Sequence, residues 1–464
     1  MAGLNQIERE VKLESRHPLD LDRLGGEPLE HRSFVSTYHD TADRLLARCG
    51  ITLRRRLENG RNQWQLKLPV DGARREVEAP GAPSGPPASI AELLPAFLHG
   101  RELLPLATLR TSRDGVLVRA ATGIAEVVTD DVAVLDGQRV SKTFAEVEIE
   151  LIAGDRRALQ SIERAVKRLG ARRTDGRTKI ARALGIRDVP SQRPKTDAER
   201  IRLYIAQCYV DLLAADPGVR LGVDAEPVHD LRVAVRRLRA LLRAARPMLA
   251  VDWAERLREE LDWLGRALGP LRDLDVLSEH LRAEADALPE ADRILVEPAL
   301  AALEAEHAAA RADALAALGS ERYLALLDVL ASPPPLVDST ETLEEVAGTQ
   351  LEKLRKTMRR VDPGAPDELL HKARIRAKRL RYVAEALGEG QVVRRAKAFQ
   401  DVVGEHQDAV VAEQRLRALA ERVPASALAL GELIERQRER RARTRSDLPK
   451  SWKRLKQAAA GAWA

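Results

Sequence analysis

The sequence predicts an α+β chain of two domains. An eight-stranded antiparallel β barrel with flanking helices comes first, and an all-α domain built from a duplicated helical bundle follows. Three observations predict this. Up to about residue 188, Asn-Gly and Asp-Gly pairs punctuate alternating, β-rich runs; such pairs accept the positive φ of tight hairpin turns. Beyond residue 197 the strand signals vanish, and long runs rich in Leu, Ala and Arg follow helical spacing. Within that second part, two blocks recur in the same order, which argues for duplication of a helical unit.

Composition sets the bounds. A chain of 464 residues exceeds one ordinary domain. Aromatic residues make up only 3%, so the cores must be built from Leu, Ala, Val and Ile. Lys+Arg number 77 against 71 Asp+Glu, and a net charge of +6 matters less than where the basic residues cluster. Cys49 and Cys208 are the only cysteines, which excludes a disulfide framework and a cysteine-based zinc site. The N-terminus is charged within ten residues and has no apolar signal core. No run approaches the ~18 apolar residues of a membrane helix, so a cytoplasmic protein is expected.

The first strand covers residues 6–14. Side chains alternate between the faces of a strand, so Glu8, Glu10, Lys12 and Glu14 share one face, and Ile7, Val11 and Leu13, with Arg9, share the other. A charged inner face under an apolar outer face suits a barrel with a polar lumen and helices partly covering its outside. Alone, the stretch also reads as an exposed edge strand of mixed charge. Further strands are expected at 33–39, 51–58, 61–68, 73–79, 106–113, 116–130 and 139–151, with turns at Asn59-Gly60, Asp71-Gly72, Asp114-Gly115 and Asp136-Gly137. Pro80 to Ser89 is a loop and Ile90 to Gly100 a short helix. Asp155 to Gly170 carries Leu159, Ile162, Val166 and Leu169 at helical spacing, with Asp155 as cap.

The charge pattern repeats from strand to strand. Arg54 and Arg56 share a face, as do Gln63, Gln65 and Lys67, then Glu76 and Glu78. Arg113 is in step with Thr111, and Glu126 with Asp130. Glu146, Glu148 and Glu150 alternate with Val147, Ile149 and Leu151. Closing such a sheet puts all these rows in one lumen. Glu8 and Glu10 beside Glu148 and Glu150 make a carboxylate cluster that needs cations, and hard oxygen ligands suit Mg²⁺ or Mn²⁺. The arginines and lysines opposite would face a highly charged anion, a description that a polyphosphate chain fits.

These residues resemble a known family. Ile7-Glu8-Arg9-Glu10-Val11-Lys12 resembles the E-x-E-x-K signature of the CYTH, or triphosphate tunnel metalloenzyme, family. Tyr38-His39-Asp40-Thr41 followed by Leu53-Arg54-Arg55-Arg56 is similar to its second and third strands, and Trp64-Gln65-Leu66-Lys67 to its lysine-bearing strand. Glu146 to Leu151 resembles its acidic strand. Thr178-Lys179-Ile180-Ala181-Arg182-Ala183-Leu184 resembles its closing lysine motif, with Ile180 where a tyrosine is often found. The resemblance spans residues 5 to about 188 and implies a tunnel that cleaves triphosphate-containing substrates with a divalent metal. It implies that Glu8, Glu10, Glu148 and Glu150, with Glu146 and Asp130, hold metal. Lys12, Arg54, Arg56, Lys67, Arg113 and Lys179 would clamp phosphates. Glu8, Glu10 and Lys12 form the catalytic set, in which Lys12 serves as phosphate ligand or helps deprotonate water; a lysine among carboxylates should stay charged.

Residues 189–196 are a linker: Asp188 to Asp197 contains two prolines and no apolar periodicity. The helical part, 197–464, divides at Ser332-Pro333-Pro334-Pro335 into repeats of about 197–332 and 336–460. Val228-His229 through Arg239 matches Leu370-His371 through Arg381, and Leu268-Gly269-Pro270-Leu271-Arg272-Asp273 matches Val403-Gly404-Glu405-His406-Gln407-Asp408. Two similar bundles related by a pseudo-twofold are expected. On a helix, His229, Arg232, Arg236 and Arg239 form one stripe, and His371, Arg374, Lys378 and Arg381 form the same stripe in the second repeat. Neither stripe contains an acid, so bringing them together is unfavourable without a polyanion. Arg436, Arg440 and Arg443, followed by Lys450, Lys453, Arg454 and Lys456, add a third basic face. His406 has Leu271 as its counterpart, so no duplicated metal site is expected.

This part resembles the CHAD domain, a duplicated helical bundle associated with inorganic polyphosphate, over about 197 to 460. The resemblance implies that both stripes bind polyphosphate. The combined expectation is a metal-dependent hydrolase of inorganic triphosphate or short polyphosphate with a polyphosphate-binding second domain. The alternatives are an organic triphosphate such as thiamine triphosphate or ATP as substrate, or a non-catalytic protein docking on polyphosphate granules. Specific nucleic-acid binding is not expected. The low aromatic content argues against base stacking, and no helix-turn-helix or zinc-finger spacing is present. P-loop, HExxH, GxSxG and CxxC motifs are absent as well.

Overall fold

Alternating charged and β-branched residues build a single antiparallel sheet from the first part of the chain. We describe residues 5–15, 17–70, 73–174, 177–186, 193–362 and 364–463 in a computed structural model. The chain divides into two units, Met1–Gln192 with Asp216–Leu221, and Arg193–Ala215 with Gly222–Ala464.

The strands of the first unit are β1 (Asn5–Glu8), β2 (Glu10–Glu14), β3 (Glu27–Pro28), β4 (Arg32–Asp40), β5 (Thr52–Glu58), β6 (Arg61–Val70), β7 (Ala73–Pro80), β8 (Leu104–Ala120), β9 (Gly123–Asp136), β10 (Arg139–Gly154) and β11 (Arg172–Arg173). Their order is β1-β7-β6-β5-β4-β8-β9-β10-β2-β11, with β3 on β8. β1 and β2 are successive pieces of one segment divided at Arg9: residues 5–8 pair with β7, and the stretch after Arg9 pairs with β10. The ladder therefore does not close by hydrogen bonds between these pieces. The covalent chain at Arg9 joins the β7 side to the β10 side instead. With that segment counted once and the two-residue β3 and β11 set aside, the described residues hold the eight strands the sequence predicts.

Asn59 and Gly60 have φ of 49° and 76°, as a tight hairpin turn requires, and Gly137 has φ of 60°. Asp71-Gly72 lies outside the described residues, as do residues 189–192 of the linker. Asp114-Gly115, by contrast, is no turn. β8 runs straight through it, and the hairpin to β9 falls at residues 121–122. Close packing explains this glycine: a Cβ on Gly115 would sit 2.7 Å from the Val127 carbonyl oxygen and 2.7 Å from Val128 Cγ1.

Helices α1 (Leu45–Arg48), α2 (Ala88–Ala91), α3 (Pro95–Leu98), α4 (Arg156–Arg168) and α5 (Lys179–Ala183) decorate the sheet. The helix expected over 90–100 is divided into α2 and α3 ahead of Pro95, which cannot donate its backbone nitrogen. Asp155 caps α4, its Oδ1 accepting from the N–H of Arg157 at 2.9 Å and of Ala158 at 3.0 Å. α4 lays Leu159, Ile162 and Val166 against buried Leu13, Val127, Val147 and Ile149. The apolar outer face of the sheet is thus covered there, and the charged rows are left to the inside.

The second unit is helical: α6 (Asp197–Leu221), α7 (Glu226–Ala244), α8 (Val251–Ala267), α9 (Gly269–Asp286), α10 (Glu290–Leu318), α11 (Glu321–Ala331), α12 (Leu343–Met358), α13 (Asp367–Leu387), α14 (Gly390–Arg422) and α15 (Ala427–Ala462). The order α6, α7, α8 with α9, α10 recurs as α12, α13, α14, α15. Pro270 in the first turn of α9 explains why one long helix of the second repeat is two in the first: Glu405 stands at the matching place and continues α14. No helix among the described residues is long and apolar enough to cross a membrane.

Candidate functional site

Strand register sets the charged rows side by side. Glu148 lies opposite Lys12, and Glu150 opposite Glu10. Glu146 lies opposite Asp130, which in turn lies opposite Arg113. Glu148 is the hub of the resulting network. It is met by Lys12 Nζ at 3.0 Å, Lys179 Nζ at 2.7 Å and Arg113 Nη2 at 2.6 Å. Burial raises the Glu148 pKa, but Lys12, Lys179 and Arg113 outweigh it and hold the carboxyl well below its usual range. Arg113 also grips Asp130 through two hydrogen bonds of 2.6 and 2.7 Å. Lys179 reaches Asp130 at 2.6 Å and Glu146 at 3.3 Å from α5, and Arg182 on the same short helix lies 3.5 Å from Glu146. Burial lowers the Lys12 pKa, yet Glu148, Glu10 and Glu146 together hold it above the ordinary lysine range.

A second group of carboxylates is poor in cations. Lys67 Nζ is 2.6 Å from Glu8 and 3.6 Å from Glu76. Glu76 Oε1 is buried without a partner. Burial, followed by the hydrogen bond to Glu76, raises the Glu8 pKa. Glu150 is pushed up to about 7, first by burial and then by Glu8, with Glu10 and Glu148 adding to the effect. Among the described residues Glu10 is met by Lys12 at 3.5 Å, a lysine already engaged by Glu148. Crowded, underneutralised carboxylates with an orphaned oxygen fit a hard divalent cation. Among the described residues no three such ligands converge as they stand, since Glu8 turns to Lys67 and Glu148 to its three cations. Asp130 and Glu146, grouped with the metal ligands on sequence grounds, sit instead inside the network of Arg113, Lys179 and Arg182.

The remaining wall is basic. Arg54 donates to Gln65 at 2.5 Å and to the Tyr38 hydroxyl at 3.4 Å, and Gln65 in turn donates to Glu78. Arg56 stacks on Phe34, 3.6 Å from the ring centroid. Its Nε and Nη2 are buried without hydrogen-bond partners; Glu58 lies 3.1 Å from Nε but out of alignment. Burial and then Arg54, with Arg32 and Arg113, push the Arg56 guanidinium down to about 10. A cavity of about 650 Å³ opens beside it. Asp40, within the Tyr38–Thr41 motif, braces the backbone. Its carboxylate accepts from the N–H groups of Leu46 and Ala47, each at 2.9 Å, at the start of α1.

In the second unit α7 packs on α13, and the two stripes meet. Burial draws Lys378 down to about 7, helped by Arg374, Arg236 and Arg381 and opposed by Asp408. His229 falls to about 4 through burial and then Arg272, Arg236, Arg232 and Lys378, so it is neutral near pH 7. The Nε atoms of Arg236, Arg374 and Arg381 are buried without hydrogen-bond partners.

The CYTH domain family model matches residues 6–184, and the CHAD domain family model matches residues 203–417. Two Mycobacterium tuberculosis relatives, the uncharacterized proteins MT2285 of strain CDC 1551 / Oshkosh and Rv2226 of strain ATCC 25618 / H37Rv, are each 31% identical over 418 residues. They cover 82% of this chain and 81% of their own length. The chain belongs to the CYTH–CHAD family. Among solved structures, PptA from Streptomyces chartreusis is 25% identical with a TM-score of 0.48, covering 55% of this chain and 99% of its own. The CHAD domain from the plant Ricinus communis is 25% identical with a TM-score of 0.47, covering 56% of this chain and 91% of its own. The Hippeastrum protein HpAC1, for which a dominant triphosphatase activity is reported, is 20% identical with a TM-score of 0.28, covering 40% of this chain and 98% of its own.

Within the CHAD domain the expected site residues are not equivalent. His371 is exposed, whereas His229 is half-buried. Arg239 is engaged by Asp262 at 2.5 Å, and Arg232 bonds the Gly269 carbonyl at 2.7 Å and Asp273 at 3.0 Å. The third basic face is neutralised in part: Arg436 meets Glu284 at 3.1 Å and Glu432 at 2.9 Å, and Arg440 meets Glu405 at 3.1 Å. His406 is buried between Asp367 at 2.9 Å and Thr444 at 3.3 Å, which explains it as a packing residue. Arg272, which periodicity left out of the basic set, belongs to the surroundings of His229. Its signal was its place in the repeated block, where Gln407 is its counterpart.

Proposed function

We propose that this CYTH–CHAD protein hydrolyses inorganic triphosphate or short polyphosphate in its CYTH domain, with Mg²⁺ or Mn²⁺, and binds inorganic polyphosphate through its CHAD domain. The observation that carries the reading is the pairing of two imbalances in one lumen. The Arg56 guanidinium is crowded by arginines, and its buried Nε and Nη2 make no hydrogen bond, with Glu58 near but out of alignment. Glu8, Glu10, Glu76 and Glu150 are carboxylates with too few cations. A phosphate chain with its divalent cation offsets both.

In this reading Arg54 and Arg56 bind and orient the chain through planar, charge-assisted hydrogen bonds. Glu8, Glu10 and Glu150 would hold the cation, which supplies charge neutralisation and an activated water for in-line attack. Lys12, kept charged by its carboxylates, acts as a phosphate ligand rather than a base. Arg113 and Lys179 position Glu148 and add positive potential to the chamber. A binding-only tunnel has no use for the cation-poor carboxylates, which favours the hydrolase over a granule-docking protein.

The test is phosphate release from triphosphate, longer polyphosphate, ATP and thiamine triphosphate with Mg²⁺ or Mn²⁺. Triphosphate or short polyphosphate turns over fastest, and Glu8→Gln/Glu10→Gln lowers the rate at least ~100-fold. Unchanged release by that double variant overturns the catalytic reading. Faster turnover of an organic triphosphate moves the assignment to that substrate.

A further inference from the structure

The charged row of β5 changes sign at its end. Arg54, Arg56 and Glu58 alternate along one face of the strand, and the Asn59-Gly60 turn follows. The cavity of about 650 Å³ beside Arg56 is lined there by Glu30, Glu58 and Glu78 as well as by Arg32 and Arg61. Glu58 is held from β4. Arg32 Nε and Nη2 donate to its two carboxylate oxygens at 2.8 and 2.9 Å, a bidentate pair. Glu58 Oε2 also lies 3.1 Å from Arg56 Nε. The hydrogen bond from Arg32 draws the Glu58 pKa below its usual range against the cost of burial, with Arg56 and Arg113 adding to the effect, so the carboxylate keeps its charge. A carboxylate fixed against a phosphate-binding arginine competes with phosphate, and its presence in this row needs a reason.

We propose that Glu58 sets the chain length of the substrate: it ends the phosphate-binding row after Arg56 and rejects chains longer than triphosphate. The inference rests on the hydrolase reading and names the residue that selects within its substrate class. With the reacting end of the substrate at Glu8, Glu10 and Glu150, the far end lies on Arg54 and Arg56, and triphosphate stops there. A longer chain runs on toward the cavity and meets Glu58, with Glu30 and Glu78 lining the same space. Arg32 does not relieve the repulsion, because the same carboxylate already engages it. Arg61, opposite Glu58 on β6, is exposed, and solvent screens its charge. A placed like charge discriminates between ligands that the attractive contacts treat alike.

Initial rates of phosphate release from inorganic triphosphate and linear inorganic tetraphosphate, measured on the full-length protein with the same metal, test this. The wild type prefers triphosphate at least ~10-fold in kcat/KM. Glu58→Gln removes the charge and frees Arg32 for the added phosphate, so it raises the tetraphosphate-to-triphosphate ratio at least ~10-fold, through KM. Glu58→Asp, which keeps the charge, retains the preference; a role in folding alone would move both substrates together. Competition needs no variant: tetraphosphate inhibits wild-type triphosphate turnover with a Ki at least ~10-fold above the triphosphate KM. An unchanged or lower ratio in Glu58→Gln, or tetraphosphate binding to the wild type as tightly as triphosphate, overturns the proposal and leaves the hydrolase reading standing. Absence of turnover on either substrate removes the hydrolase reading and this inference with it.

Discussion

Glu148→Gln destabilises the metal-free CYTH domain by about 3–5 kcal/mol and abolishes triphosphate turnover with it. The carboxylate is the common acceptor of Lys12, Lys179 and Arg113, at 3.0, 2.7 and 2.6 Å. Replacing it with a neutral amide leaves buried Lys179 and half-buried Lys12 and Arg113 to share Asp130, Glu146 and Glu10, and stranding charge of this kind costs more than the intact network contributes. Hydrogen exchange of β8, β9 and β10 amides under increasing urea reads the loss in that domain without mixing in the helices. The result also separates two roles for Glu148. If it were chiefly a metal ligand, removing its charge from the metal-free protein would relieve Glu150 and leave stability unchanged or raised, and that outcome sinks the hub reading. The pH dependence has a definite sign. The Glu148 pKa is depressed in the folded state, so the unfolded chain binds the extra proton first on acidification. Its contribution is therefore fully present above the ordinary glutamate range and is lost as pH falls through that range and below. Glu148→Gln lacks this part of the acid limb.

Much of the fold was legible because local chemistry and tertiary structure agree along most strands. Asn59-Gly60 makes its turn, Asp155 caps its helix, and the alternation of Glu146 to Leu151 survives as register opposite Lys12 and Glu10. The sequence signal failed where one residue type serves two purposes. Gly115 reads as a turn residue, yet its missing side chain lets β9 pass close to β8. Charge parity placed the charged side chains on one face of the sheet but did not give the pairing among them. Asp130, Glu146 and Glu148 carry the same signal as Glu8 and Glu150, and only the arrival of Lys179 and Arg182 from α5 and of Arg113 from β8 divides them into a salt-bridged hub and a cation-poor group. That division depends on contacts between residues distant in sequence, which no spacing records. In the helical half the stripes were visible from periodicity alone. The unequal burial of His229 and His371 was not, because the repeat makes them look alike.

Reversing Arg232, Arg236, Arg374 and Lys378 to Glu abolishes polyphosphate retention, an expected loss of at least ~10³-fold in affinity, and leaves triphosphate turnover intact. The free protein tolerates these cations poorly. Lys378 faces Arg374 and Arg381 on its own helix and Arg236 on α7, with Asp408 on α14 opposing them, and its pKa falls to about 7. A lysine near 10.5 in the unfolded chain and near 7 in the folded one makes the unfolded state bind more protons between those values. Stability of the ligand-free CHAD domain therefore rises with pH across that window, by at most ~1.4 kcal/mol per pH unit from this group. A bound polyphosphate reverses the preference by stabilising the protonated amine, so binding takes up a proton and weakens as pH rises above 7. Lys378→Met separates the two effects with opposite signs. It stabilises the ligand-free protein at pH 7, because a desolvated, like-charge-crowded ammonium is gone, and it lowers polyphosphate affinity while flattening the pH dependence. Isothermal titration in two buffers of different ionisation enthalpy measures the proton uptake directly. A variant that lost stability and kept its affinity would mean that Lys378 is held by its surroundings for packing, and that the stripes do not meet a polyanion there.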